Sequence, residues 1–213
     1  STQVVPIIRD VVVIEAGFAK SSVLEKDGKK LGLIHLPKFY SDFGKINGRS
    51  CARDVAEEIE KLKEAGVEGI LFDLRNNGGG SLQDVVEMVG FFVKSGPVVQ
   101  VKRRHGAAYS LRDDDQGQMM YDGPLLVMVN EYSASASEIF AAAIKDYGRG
   151  VVIGSNTFGK GTVQQFIDLN KLVRSDQDLG AIKITTQKFY RINGGATQLK
   201  GVEPHIVLPD LYM

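Results

Sequence analysis

Gly69-Ile-Leu-Phe-Asp-Leu-Arg-Asn-Asn-Gly-Gly-Gly-Ser81 is the stretch of this chain that decides its fold. Its first part, residues 69–74, is a short apolar run and predicts a buried strand. The second part is a glycine-rich loop, and the residues after it predict a helix over 82–93. A strand, a loop and a helix in this order are typical of an α/β layer structure.

The rest of the chain continues this alternation of strands and helices. Residues 50–65 predict an amphipathic helix, and residues 124–147 predict a second strand–loop–helix unit. The polar stretch 103–122 is expected to be a surface excursion. Further strands are predicted over residues 31–36, 97–102, 151–154, 162–169, 181–186 and 202–208. The predicted fold class is therefore α/β, with an additional β region at the C-terminal end.

Composition and charge exclude several classes of binding partner. The 213 residues include 26 basic and 26 acidic residues, so electrostatics favours neither nucleic acid nor an anionic membrane surface. Cys51 is the only cysteine, which excludes an internal disulfide and a cysteine-rich metal cluster. No apolar stretch approaches the roughly 20 residues of a membrane helix, and no signal peptide is visible. We therefore expect no nucleic acid, membrane span, metal or cofactor.

Three serines, Ser133, Ser135 and Ser137, lie in the loop of the second strand–loop–helix unit. Serines often cap helices, because the hydroxyl oxygen accepts a hydrogen bond from a free backbone N–H group. A serine between a strand and a helix can also be a nucleophile, since N–H groups at the helix start can stabilise an oxyanion. The loop predicts at least one cap and leaves a catalytic serine open.

The three glycines at 78–80 also allow alternatives. Glycines after a strand often only permit a turn with a positive φ. Here they leave backbone N–H groups uncovered before a helix. Such donors predict either half of an oxyanion hole or a cradle for an anion such as phosphate.

Lys160 has two interpretations of its own. The segment Gly154-Ser-Asn-Thr-Phe-Gly-Lys160 fits the first seven positions of a phosphate-binding P-loop. Gly161 stands where a P-loop has Ser or Thr, and the next residues alternate as a strand does, so nucleotide binding is disfavoured. A lysine can instead replace histidine as the base that activates a serine. None of the three histidines lies in a setting that resembles a catalytic triad.

Four blocks of sequence together resemble one family of enzymes. In chain order they are Asp73-Leu-Arg-Asn-Asn-Gly-Gly-Gly80, Ser133-Ala-Ser-Ala-Ser-Glu138, Thr157-Phe-Gly-Lys-Gly-Thr-Val-Gln164 and Lys188-Phe-Tyr-Arg-Ile-Asn-Gly-Gly195. With them, the chain from about Lys30 onward is similar to the catalytic core of the tail-specific, or carboxy-terminal processing, serine-lysine endopeptidases. The resemblance implies a layered core like those of crotonase and ClpP, and an endopeptidase that acts on protein or peptide substrates.

The resemblance implies a role for five residues. Ser135 is the expected nucleophile, Lys160 the general base, and Gln164 the residue that orients the lysine amine. The backbone N–H groups of Gly80 and Ala136 are the expected oxyanion hole.

Two further expectations concern the geometry of this site. The Ser135 oxygen and the Lys160 nitrogen should lie within hydrogen-bond reach of each other. Phe158 and Val163, which lie near the lysine in sequence, are expected to form an apolar wall.

The resemblance also bears on domain organisation and location. Members of the family usually carry a PDZ module before this core, and residues 1–30 are too short for one. We therefore expect a single core domain over residues 1–213, with an N-terminal strand region at 1–30 and no PDZ module. Processing or degradation of proteins near their C-termini, in the bacterial periplasm or cell envelope, is implied by the resemblance.

Two other classes of function stay open. A folded but inactive or latent peptidase domain would serve binding or scaffolding. Crotonase-like acyl-CoA enzymes share the strand, glycine loop and helix, but they need no serine–lysine pair. A fluorophosphonate-type probe separates the inactive domain from an active peptidase, and replacement of Ser135 separates the peptidase from an acyl-CoA enzyme.

Overall fold

The computed structural model describes residues 15–42, 48–113, 119–175 and 177–209. Within these ranges the chain forms two β-sheets and three α-helices. In chain order the elements are β1 (Lys20–Lys26), β2 (Lys29–His35), α1 (Cys51–Glu64), β3 (Gly69–Asp73), α2 (Leu82–Gly90), β4 (Pro97–Arg103), β5 (Tyr109–Arg112), β6 (Leu125–Val129), α3 (Ala136–Asp146), β7 (Val151–Gly154), β8 (Thr162–Asp168), β9 (Ala181–Tyr190) and β10 (Ile206–Val207). The predicted α/β class is confirmed.

The larger sheet carries the two loops on which the site is built. Its strand order is β1-β2-β3-β6-β7-β10, and all neighbours except β1 and β2 run parallel. The carboxyl ends of β3 and β6 therefore lie side by side, with Asp73 opposite Met128. This pairing places the glycine loop after β3 beside the serine loop after β6, at the edge of the sheet where α/β proteins bind ligands.

The smaller sheet is antiparallel and has the order β5-β4-β9-β8. Its edge strand β8 begins shortly after Lys160. A β-bulge between Val163 and Gln164 shifts the register of β8 against β9, and bulges re-aim side chains. Helix α3 contacts β4 of this sheet as well as β6 and β7 of the larger sheet, so it joins the two.

A cluster of three phenylalanines holds α3 against the larger sheet. Phe72 of β3, Phe92 and Phe140 of α3 are all fully buried. The rings of Phe72 and Phe140 stack with their centroids 4.9 Å apart, and Phe92 meets Phe72 edge-on at 6.1 Å. Because the first residues of α3 form one wall of the site, this cluster also supports the site.

Phe140→Ala is expected to lower the free energy of unfolding by about 3–5 kcal/mol, because it removes buried contacts and leaves a cavity. Phe166→Ala is the matched control, since the Phe166 ring is 74% exposed and its loss should cost about 0.5 kcal/mol or less. Chemical denaturation of both variants measures the difference. Equal losses would contradict the place of Phe140 in the core.

The helix predictions agree with the structure over most of their length. α1 starts after Ser50, whose hydroxyl accepts a backbone hydrogen bond, and ends before Ala65, as predicted. α2 ends at Gly90 instead of residue 93. The N–H groups of Phe91 and Phe92 donate to carbonyls three residues back, and this tighter turn ends the helix.

The structure corrects two predictions for the β regions. The stretch 103–122 was expected to be only a surface excursion, but it contains β5, which pairs with β4. β5 is short and mostly exposed, so it has little apolar alternation to reveal it. The strand predicted over 202–208 is limited to β10, because Gly201 has a positive φ of 69° and Pro204 has no N–H group to donate.

Two sequence predictions reach beyond the described residues. Of the N-terminal strand region at 1–30, the structure shows β1 and the start of β2, and residues 1–14 lie outside the described ranges. Residues 114–118 of the predicted surface excursion also lie outside them.

Candidate active site

All five residues of the predicted site line one pocket of about 860 Å³. They are Gly80, Ser135, Ala136, Lys160 and Gln164. The pocket is bounded by the segment after β2, the glycine loop, the start of α3 and strands β8 and β9. Tertiary folding therefore brings together the residues that the sequence placed in separate loops.

The three serines of the loop before α3 have different surroundings. Ser133 is fully buried, and its hydroxyl donates to the carbonyl oxygen of Leu74 at 2.8 Å. Ser137 is also fully buried, and its hydroxyl donates to the carbonyl oxygen of Asn77 at 2.8 Å. Both serines fasten this loop to the residues after β3. Of the three, only Ser135 lines the pocket.

Ser135 has a strained backbone conformation, with φ 58° and ψ −109°. A positive φ is uncommon for a residue with a side chain, and such strain clusters at active sites. The place of Ser135, between strand β6 and helix α3, is that of a nucleophile elbow. A Cβ on Gly79 would lie 2.8 Å from the Cβ of Ser135, so glycine is needed there for the two loops to approach this closely.

Two backbone N–H groups beside Ser135 are available to bind an oxyanion. Within the described residues, the N–H groups of Gly80 and Ala136 donate no hydrogen bond to the chain. The glycine loop is held in place by Phe39, whose N–H donates to Gly79 and whose carbonyl accepts from Ser81. The donors are therefore fixed before any substrate arrives, which is what effective stabilisation of an oxyanion requires.

Glu138 joins the serine loop to the lysine loop, a role that the sequence did not predict. Its carboxylate is fully buried and accepts four hydrogen bonds, of 2.7–2.8 Å. The donors are the N–H groups of Ser135, Gly159 and Lys160 and the hydroxyl of Thr157. Burial raises the pKa of the Glu138 carboxyl, although the four hydrogen bonds oppose this shift.

A local signal for Glu138 exists in the sequence. A serine followed three residues later by a glutamate is a capping box, in which the glutamate accepts from the N–H of the serine. Ser135 and Glu138 form that contact at 2.8 Å. The signal explains how one oxygen binds the start of α3, but it contains no information about the lysine loop.

Lys160 and Gln164 line the pocket without the expected contacts. Among the described residues, no hydrogen bond joins the Lys160 amine to the Ser135 hydroxyl or to the Gln164 side chain. The hydrogen bond expected between the side chains of Ser135 and Lys160 is therefore not present among the described residues. Gln164 is exposed and follows the β-bulge in β8.

The apolar wall of the pocket differs from the expected one. Phe158 is 64% exposed and does not line the pocket, so its predicted role is wrong. Its backbone N–H donates to the carbonyl oxygen of Ser133, and its ring is left in solvent. Val163 does line the pocket, and the buried side chains of Ile139 and Phe189 are part of its apolar lining.

The lysine loop does not have the structure of a P-loop. Strand β8 follows it, as the sequence predicted, where a P-loop would continue into a helix. The N–H groups of Gly159 and Lys160 donate to the buried Glu138 carboxylate, so they are not available to a phosphate. The Gly161 N–H donates to Gln198. These contacts confirm that the resemblance to a P-loop is superficial.

The described part of the chain can also be compared with a metal site, a membrane span and a cysteine nucleophile. It contains no group of three or more His, Cys, Asp or Glu side chains that could hold a metal ion. It also contains no helix that is both long and apolar enough to cross a membrane. Burial, followed by the charge of Asp84, raises the pKa of the Cys51 thiol, which makes this cysteine a poor nucleophile.

The fold and the site together define a class of protein. An α/β core with a strained serine between a strand and a helix, beside free backbone N–H donors, is the arrangement of a serine hydrolase. Residues 30–208 match the profile of Peptidase family S41. The chain belongs to this peptidase family, and the resemblance predicted from its sequence is confirmed.

Individual relatives support the same assignment. The chain is 44% identical to the "Tail-specific protease" of Haemophilus influenzae over 99% of its own length and 29% of that protein. It is 32% identical to the "Carboxyl-terminal-processing protease" of a Picosynechococcus species, over 99% of this chain and 46% of that protein. The chain therefore spans less than half the length of these two relatives.

A solved structure is similar to the fold as well as to the sequence. The "Photosystem II D1 C-terminal processing protease" aligns with a TM-score of 0.67 and 31% identity. The alignment covers 84% of this chain and 42% of that one.

Proposed function

We propose that this protein is a serine-type endopeptidase in which Ser135 is the nucleophile and Lys160 the general base. The observation that carries the proposal is the strained backbone of Ser135. Of the three serines in the loop before α3, only Ser135 lines the pocket, and Lys160 lines the same pocket. The free N–H groups of Gly80 and Ala136 in the same pocket supply the oxyanion hole. Membership of family S41 supports the same chemistry.

The proposed reaction proceeds in two steps through an acyl-enzyme. The neutral Lys160 amine removes the hydroxyl proton of Ser135 as the oxygen attacks the peptide carbonyl carbon. The oxyanion that forms accepts hydrogen bonds from the Gly80 and Ala136 N–H groups. The lysine ammonium then gives its proton to the leaving nitrogen, and water hydrolyses the ester. Gln164 orients the lysine amine during both steps.

The substrates proposed for this reaction are proteins that are cut or degraded near their C-termini. The names of the two curated relatives, which describe tail-specific and carboxyl-terminal processing, support this preference. We also propose that residues 1–213 form a single peptidase core domain. The resemblance further suggests the bacterial periplasm or cell envelope as the location, which fractionation of cells that make the protein would test.

A second candidate is a latent peptidase domain that serves binding or scaffolding. The observation in its favour is the missing hydrogen bond between Ser135 and Lys160 in the described structure. A lysine side chain is long and flexible, so rotation of its stem can close this gap when substrate enters. Catalytic hydrogen bonds are often long in empty sites and tighten with substrate.

A fluorophosphonate probe distinguishes these two candidates. We expect the probe to label the protein on Ser135 and to leave Ser135→Ala unlabelled, because only an activated serine attacks phosphorus. Mass spectrometry of the labelled peptide identifies the residue, and hydrolysis of a small ester checks for a slow site. Absence of both labelling and ester hydrolysis in the folded protein would support the latent domain.

A further inference from the structure

The pocket that contains Ser135 carries more positive charge than the proposed reaction uses. Besides Lys160, Lys38 on the segment after β2 and Lys183 on β9 line it. None of the lining residues that the structure describes is Asp or Glu. Neither Lys38 nor Lys183 has an ion-pair partner among the described residues.

Lys160 differs from the other two lysines because a buried carboxylate holds its backbone in place. Glu138 accepts a hydrogen bond of 2.8 Å from the Lys160 backbone N–H and is fully buried. Because no Asp or Glu is among the described lining residues, the charges of Lys38 and Lys183 act on whatever occupies the pocket.

Lys183 is placed on one wall of the pocket by an aromatic contact. Its amine lies 5.5 Å from the centroid of the Phe166 ring, within the range of a cation–π interaction. The two residues face each other across β8 and β9, and the exposed Phe166 ring also lines the pocket. Phe166 lies two residues beyond Gln164, roughly 7 Å along the strand. Lys183 therefore lies opposite a strand position close to Gln164, in the same pocket as Ser135 and Lys160.

Lys38 is placed on a different wall, next to the glycine loop. It directly precedes Phe39, whose backbone forms an isolated β-bridge with Gly80. Both lysine side chains are exposed, so an incoming peptide meets their charges without first displacing a protein partner. A peptide bound between the two walls would pass both amines.

We propose that Lys38 and Lys183 select peptides that carry a carboxylate close to the bond that is cut. The inference rests on the proposed peptidase function, and it names the substrate chemistry of the same site. The carboxylate is either an acidic side chain or a free C-terminus, since both present the same group to an ammonium. Because the two amines are exposed, each contributes about a two- to fivefold preference, and salt weakens it.

Two series of peptides test this proposal and separate the two sources of carboxylate. One series exchanges Glu for Gln at single positions on either side of the cleaved bond, and the other compares a free C-terminus with its amide. In at least one of the two series, we expect the wild-type protein to cleave the peptide with the carboxylate faster than its uncharged counterpart. The expected ratio of the two kcat/KM values is about four- to twentyfold. Lys38→Gln and Lys183→Gln should each lower this ratio of kcat/KM values by about two- to fivefold.

Lys29→Gln is the matched control, because it removes the same charge from an exposed strand residue that does not line the pocket. We expect it to keep the full preference. The proposal is overturned by a wild-type protein without preference, by a preference that survives in the double variant, or by an equal loss in Lys29→Gln.

Binding of the same peptides to Ser135→Ala separates this inference from the proposed function. Fluorescence anisotropy measures the affinity without any cleavage. A carboxylate preference in binding, together with no cleavage by the wild-type protein, would sink the peptidase proposal and leave the lysine subsite standing. Cleavage of every peptide at the same rate would overturn the lysine subsite and leave the peptidase proposal standing.

Discussion

Ser135→Ala is expected to reduce kcat/KM for peptide cleavage by about 10³-fold or more, because the variant has no hydroxyl to form the acyl-enzyme. Lys160→Ala should have an effect of similar size, since the serine then has no base to take its proton. The double variant should lose little more than either single variant. Residues that act as one unit show such non-additive losses.

A fluorogenic peptide measures these rates, and thermal unfolding followed by circular dichroism shows whether each variant stays folded. Ser22→Ala and Lys200→Ala are matched controls, because both residues are exposed and neither lines the pocket. They should keep wild-type rates. Wild-type activity in Ser135→Ala or in Lys160→Ala would contradict the assignment of the nucleophile or the base.

Glu138→Gln is expected to lower kcat/KM by about 10²-fold and the free energy of unfolding by about 2–4 kcal/mol. The carboxylate oxygens of Glu138 accept from four donors, and two of these are the N–H groups of Ser135 and Lys160. In glutamine one oxygen becomes an NH₂ group, which cannot accept, so buried donors lose their acceptor. The two loops would then move apart, and small displacements of reacting groups cost large factors in rate.

Glu64→Gln is the control for this variant, because Glu64 is exposed at the end of α1. Chemical denaturation measures the stability of both variants, and peptide cleavage is compared at a temperature at which Glu138→Gln is fully folded. A folded Glu138→Gln with unchanged kcat/KM would show that Glu138 does not position the two catalytic loops.

The prediction that Ser135 is the nucleophile shows what family resemblance and local chemistry each contribute. The resemblance to a family selected Ser135, and local chemistry alone left all three serines as possible caps. In the structure, the hydroxyls of Ser133 and Ser137 bind the carbonyl oxygens of Leu74 and Asn77. Those partners lie 59 and 60 residues earlier in the chain, so no local pattern could reveal them.

The failed expectations have the same origin. Phe158 was expected in the apolar wall because it lies near Lys160 in sequence, but residues of a loop can face different ways. Its backbone is bound to Ser133, and its ring is left in solvent. The apolar lining instead includes Ile139 and Phe189, which come from α3 and β9.

By itself, the sequence determined the α/β class, the strand, glycine loop and helix at 69–90, and the peptidase family. The class and the local elements follow from periodicity and from turn residues within contiguous segments, and the family follows from the resemblance of four sequence blocks. Only the tertiary structure decided that Gly79 meets Ser135 and that Glu138 binds both the serine loop and the lysine loop. Such contacts depend on the parallel pairing of β3 with β6 and on the packing of α3, which join segments that are distant in the chain.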